Sequence, residues 1–116
     1  SGDWSSDVCS SDLGIITTGG TGITGKDGTP EAILPLLDKT IDGFGEMFRS
    51  LSYQNIKTST LQSRAFAGVA NGTFVFCLPG SPGACKDGWN FLIKDQLDSR
   101  TKPCNLVELM PRLNEE

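Results

Sequence analysis

Apolar residues fall in short clusters separated by glycine- and proline-marked breaks, and the clusters alternate between strand-like and helix-like spacing. The run LGIITT, residues 13–18, is short and β-branched, which predicts the buried end of a strand. It feeds the loop TTGGTGITGKDGTPEA, residues 17–32. Beyond the loop, Thr29 is the expected N-cap of a first helix, with Pro30 at the first helical position and Glu31 at its positive end. Ile33, Leu34, Leu36 and Leu37 give that helix its apolar side, and Pro35 shortens or kinks it. Phe44, Met47, Phe48 and Leu51, at i, i+3, i+4 and i+7, predict a second helix with one core-facing stripe. Asn71 and Gly72 mark a turn before TFVFCLP, whose apolar residues on both faces predict a central strand. A third helix follows, with Ser81 as cap, Pro82 in the first turn, and Cys85, Trp89, Leu92, Ile93 and Leu97 facing inward.

One device therefore occurs twice: an apolar strand, a tight glycine turn, and a helix opening with a cap and a proline. Loops at the carboxyl ends of neighbouring strands form the ligand crevice of open α/β sheets. Amides in glycine turns and at helix starts suit anions, phosphates above all. Two such loops in one crevice point to a ligand with more than one phosphate. Read singly, either loop is equally a plain turn.

At 116 residues the chain allows one domain. Its hydrophobic content of 37% includes no run long enough to span a membrane. The net charge of −4 is concentrated early: Asp3, Asp7 and Asp12 lie in a stretch without Lys or Arg. The remainder is nearly balanced, so there is no basic face for nucleic acid. Residues 3–13, DWSSDVCSSDL, have no helical or strand periodicity and resemble the translation of a sequencing adapter. The expected organisation is an artefactual leader over 1–13 and the carboxyl-terminal portion of a domain over 14–116.

There is no histidine, and Cys77, Cys85 and Cys104 are irregularly spaced, which argues against zinc and against a histidine-based triad. Small buried thiols are the expected state of Cys77 and Cys85, with no disulfide framework, which fits a reducing, cytoplasmic setting. Two familiar phosphate motifs fit only in part. Residues 20–25 match GxGxxG, and residues 20–27 match the P-loop until Asp27 stands where Ser or Thr is needed. The helix begins too late for the P-loop, and Asp38 and Asp42 are misplaced for a dinucleotide fold.

Taken together, TTGGTGITGKDGTPEA, GFGEMFRSLS, TSTLQSRAFAGV, LPGSPGACKDGW and QLDSRTKPCN resemble the MoaB/MogA family of molybdenum-cofactor biosynthesis proteins, and the MoaB branch most. The resemblance runs from about Gly14 to the carboxyl end. It implies a three-layer α/β sandwich with a mostly parallel sheet, incomplete here because the family's first strands are missing. It also implies assembly as a trimer or hexamer and adenylylation of molybdopterin by Mg·ATP with release of pyrophosphate. A non-catalytic member that binds molybdopterin is the alternative.

The matching motifs carry the implied site. Gly19, Gly20, Thr21 and Gly22 cradle a phosphate through backbone amides, with the Thr21 hydroxyl as a further donor. Asp27 is the catalytic candidate, coordinating Mg²⁺ or orienting the reacting phosphates, or else capping the nearby helix. Ser63 and Arg64 match the family's SR pair; Arg64 forks a phosphate or makes a surface or subunit ion pair. Pro79, Gly80, Ser81 and Pro82 form the second anion loop, and Lys26 is left to solvent. The 116-residue chain is accordingly expected to show no molybdopterin adenylylation; normal pyrophosphate release from it would reject that expectation.

Overall fold

Residues 73–78 are apolar after the first position, and they form the strand around which the domain is layered. The computed structural model describes residues 8–10 and 14–113. In chain order these form β1 (Val8–Ser10), β2 (Gly14–Thr18), α1 (Thr29–Ile33), a 3-10 turn (Leu34–Leu36), β3 (Lys39–Thr40) and α2 (Asp42–Ile56). A 3-10 segment (Lys57–Gln62), β4 (Phe66–Ala70), β5 (Thr73–Leu78) and α3 (Pro82–Gly88) follow. The last helix continues through a π turn (Trp89–Ile93) into α4 (Lys94–Gln96), and a 3-10 segment (Val107–Arg112) closes the described chain.

The five strands lie in the order β1-β2-β5-β4-β3. Alternation along β5 divides its side chains between two cores. Phe74, Phe76 and Leu78 pack with Phe44 and Phe48 of α2 and with Ile93, while Val75 and Cys77 pack against Ile33 of α1. Helices thus cover both faces, and the chain is a three-layer α/β sandwich. The Phe44 and Phe76 rings meet tilted at 5.4 Å, a favoured aromatic geometry.

The sheet is mixed rather than mostly parallel. Among the described residues β2 and β5 are parallel, and the other three pairings are antiparallel. The Asn71–Gly72 turn causes one of these: both residues have positive φ, 52° and 77°, and the turn joins Ala70 to Thr73 as a two-residue hairpin. Val8–Ser10, where no regular element is expected from periodicity, pairs antiparallel with β2 through its backbone.

Three local expectations shift. The N-cap of α1 is Gly28 and Thr29 is the first helical residue, because the Thr29 side chain is drawn elsewhere. On α2, Phe44 and Phe48 are buried beside Gly45 and Ser52, but Met47 is 60% exposed. At 3.6 residues per turn Met47 lies about 60° outside the arc running from Phe44 to Gly45. Trp89 is 41% exposed because the π turn rotates it away from the inward positions held by Gly88 and Ile93. Pro35 acts as expected, ending α1 in a 3-10 turn, but that turn also swings Leu34 and Leu36, expected on the apolar side, out to solvent, so only Ile33 and Leu37 reach the core.

Phe48 is 1% exposed at the centre of the larger core. Phe48→Ala is expected to cost about 3–5 kcal/mol of unfolding free energy, read from urea denaturation; a loss below about 1 kcal/mol would contradict this packing.

Candidate functional site

The parallel pairing of β2 with β5 ends in register, Thr18 opposite Leu78, so the two glycine turns leave the sheet side by side. The Gly19 N–H donates to the Leu78 carbonyl at 2.8 Å, and a Cβ on Gly80 would lie 3.4 Å from Gly19 Cα. The first turn therefore rests against the second at the carboxyl edge of the sheet.

Gly19 and Gly20 have φ of +95° and +76°, a region that side chains rarely adopt. Their carbonyls turn toward Thr29. The Thr29 hydroxyl donates to the Gly19 carbonyl at 2.9 Å, and the Thr29 N–H donates to that of Gly20 at 3.0 Å. This explains the displaced cap: the hydroxyl of Thr29 reaches back into the loop instead of closing its own helix. Thr21 is buried, and its carbonyl accepts the Arg64 N–H at 2.7 Å.

Asp27 folds back onto the loop. Its Oδ2 accepts the Thr24 N–H at 2.9 Å and the Thr24 hydroxyl at 2.7 Å. These bonds from Thr24 hold the Asp27 carboxyl below its ordinary value, with the Arg64 charge adding to the effect. The carboxylate is ionised at neutral pH and does not cap α1. A Cβ on Gly22 would come within 2.6 Å of Asp27 Oδ2, so glycine is needed for this approach.

Arg64 lies beneath the same loop. Its Nε donates to the Gly22 carbonyl at 2.6 Å and its Nη2 to the Asp27 carbonyl at 3.1 Å. Nη1 and Nη2 also fork onto Glu31 at 2.5 and 3.3 Å. Each partner shifts the other: the Arg64 hydrogen bond lowers the Glu31 carboxyl below its usual range, and that carboxylate raises the guanidinium. The fork expected on a phosphate thus holds loop carbonyls and an ion pair within the chain. The Ser63 hydroxyl accepts from the Ala65 N–H at 3.2 Å, shaping the approach to β4.

In the second turn the Ser81 hydroxyl accepts the Ala84 N–H at 3.1 Å and Pro82 opens α3, as their spacing predicts. The Cys85 thiol donates to the Pro79 carbonyl at 3.1 Å, and its partial burial pushes its pKa up. Cys77 is fully buried and pushed up to about 11 by desolvation, so it carries no nucleophilic chemistry near neutral pH. Both are free thiols, as is Cys104. Lys26 is exposed. A separate shallow cavity of about 280 Å³, lined by Asp42, Glu46, Arg49 and Phe66, opens beside the start of α2.

Among the described residues no cluster of three or more His, Cys, Asp or Glu side chains forms a metal cage. A single ionised carboxylate, Asp27 on the first glycine turn, fits a Mg²⁺ ion that arrives on a phosphate ligand, which requires only one or two protein carboxylates. No helix among the described residues is long and apolar enough to cross a membrane.

A mixed sheet covered on both faces, with two touching glycine turns at the ends of its parallel pair, defines a three-layer α/β domain with a double-turn crevice. Residues 7–99 match the family model described as "Probable molybdopterin binding domain". The chain belongs to this molybdopterin-binding family, which includes the MoaB and MogA proteins. It is 58% identical over 91 residues to molybdenum cofactor biosynthesis protein B of Escherichia coli K12, covering 78% of this chain and 54% of that protein. A crystal structure of a molybdenum cofactor biosynthesis protein B superposes with TM-score 0.71 at 41% identity, covering 87% of this chain and 58% of that one. The tungsten cofactor synthesizing protein MoaB from Pyrococcus furiosus gives TM-score 0.64 at 45% identity, covering 69% and 52%. The chain spans about half the length of the curated relatives it matches.

Sequence reasoning missed Thr29 and Glu31 as parts of the site; both were read only as features of a helix start. A Cβ on Gly20 would lie 2.2 Å from Thr29 Oγ1. Gly20→Ala, strained in φ as well, is expected to lose at least about 1 kcal/mol in chemical denaturation. Gly25→Ala, whose Cβ meets nothing within 4 Å, should stay within about 0.5 kcal/mol of the parent.

Proposed function

We propose that the protein acts in molybdenum cofactor biosynthesis, adenylylating molybdopterin with Mg·ATP in the cytoplasm. One observation carries this reading: the two glycine turns touch at the in-register ends of β2 and β5, which offers adjacent places for two phosphate groups. The names of its relatives and the molybdopterin-binding family support the pterin as one ligand.

In this reading the amides of Gly20 and Thr21 hold one phosphate group; the Gly19 amide, expected to share it, is spent on the Leu78 carbonyl, and the Gly22 amide faces Asp27. The turn of Pro79, Gly80, Ser81 and Pro82, at the start of the long helix over 82–96, holds the other. The terminal phosphate oxygen of molybdopterin bonds to the α-phosphorus of ATP as the bond to the β,γ-diphosphate breaks and pyrophosphate leaves. The chain supplies positioning and fixed dipoles rather than a nucleophile, which suits these 116 residues, without histidine and with Cys77 deeply buried. Asp27 would hold the magnesium of Mg·ATP, an ion that supplies charge neutralisation on the phosphates when bound. Assembly as a trimer or hexamer is part of the proposal, and the exposed Met47, Ile56, Leu61 and Phe91 leave apolar surface for it.

A second reading, a binding member without turnover, draws on Arg64: its guanidinium is spent on Gly22, Asp27 and Glu31, so it offers no fork to developing phosphate charge. Calorimetry with ATP and molybdopterin, run beside a pyrophosphate-release assay, separates the two. Binding without release selects the second. For the first, Asp27→Asn in a form extended to the relatives' length is expected to cut pyrophosphate release by about 100-fold or more. Its fold should persist, since an Asn oxygen can still accept from Thr24. Unchanged turnover removes Asp27 from the chemistry.

A further inference from the structure

Four consecutive carbonyls of the first glycine turn have identified donors. Thr29 takes those of Gly19, through its hydroxyl, and Gly20, through its N–H. Arg64 takes those of Thr21, through its N–H, and Gly22, through Nε. A trans peptide unit is planar, with its C=O and the following N–H pointing in opposite directions. Fixing each carbonyl therefore fixes the amide behind it.

We propose that Thr29 and Arg64 are positioning residues which, by anchoring these four carbonyls, fix the direction of the amides that follow them, leave those of Gly20 and Thr21 turned away from the protein's own acceptors, and make the turn a phosphate cradle. Two details agree with this. Among the described residues no acceptor is paired with the Gly20 and Thr21 amides, whereas the Gly22 amide faces the Asp27 carboxylate. Glu31 serves the same end at one remove, since its two oxygens fix the guanidinium plane of Arg64. The order of residues explains itself on this view: Thr29 and Glu31 start α1, and Arg64 leads into β4, so the loop is held between two elements of the scaffold. The effect on ligand binding rests on the phosphate-binding reading given above; the orientation of the amides does not.

The test uses Thr29→Val, which keeps the branched shape and removes the hydroxyl, with Thr29→Ser as the conservative rescue. It is made in the form extended to the relatives' length. The amide NMR resonance of Gly20, behind the carbonyl that loses its hydroxyl donor, is expected to move in the Val variant and return in the Ser variant, while that of Thr21, set by the retained Thr29 N–H, moves less. Affinity for Mg·ATP by calorimetry is expected to fall about tenfold, the worth of one hydrogen bond of about 1.4 kcal/mol, and to recover with Ser. Unmoved resonances, or moved resonances with unchanged ATP affinity, overturn the proposal. Resonances that move in a parent that binds no ATP uphold the anchoring and reject the phosphate reading instead. Should Thr29→Val not fold, Arg64→Lys provides the same test, because lysine keeps the backbone bond to Thr21 but loses the geometry that reaches Gly22 and Asp27 together. The Ile23 amide is then the resonance expected to move.

Discussion

The parallel bond ladder between β2 and β5 is the constraint on which the site depends. Both strands end at the same level, so any turn that follows one must lie beside the turn that follows the other. The sheet provides this register through residues with no chemistry of their own, chiefly Ile15, Ile16, Val75 and Phe76. A slip of one residue would exchange the two faces of β5 and move Phe74, Phe76 and Leu78 out of the larger core. Core packing and site geometry are consequently fixed by the same pairing.

Around that register the structure uses hydrogen bonds economically. Asp27 closes its own loop through Thr24, Ser81 closes the first turn of α3, and Arg64 ties the loop to α1 through Glu31. The Arg64–Glu31 pair is partly exposed, so its value lies in geometry more than in Coulomb energy. A planar guanidinium that reaches two carbonyls and a carboxylate limits how far the loop can relax, which a lysine at the same place could not do.

What was legible in the sequence was local. Asn71–Gly72 announces its hairpin, Ser81 and Pro82 announce the start of α3, and the doubly apolar run at 73–78 announces a buried strand, because each signal acts within a few residues. The touching turns were also within reach, given two strands that end in glycine. The direction of Arg64 was not. A long side chain can fork a ligand or a carbonyl equally well, and only the distant positions of Gly22, Asp27 and Glu31 decide which. Likewise, the two-residue β3 and the antiparallel edges carry too few residues for a period to appear, and Met47 and Trp89 fit a helical stripe that tertiary rotation and a π turn overrode.

The hairpin between β4 and β5 has a consequence for the order in which the domain assembles. Its two strands are joined by a two-residue turn, so they can meet within microseconds at little loop-closure cost. The β2 strand must find β5 across everything between Thr18 and Thr73, a far slower search. The crevice between the glycine turns therefore waits on the slower of the two pairings, and the β4–β5 turn can close in a molecule whose crevice has not yet formed.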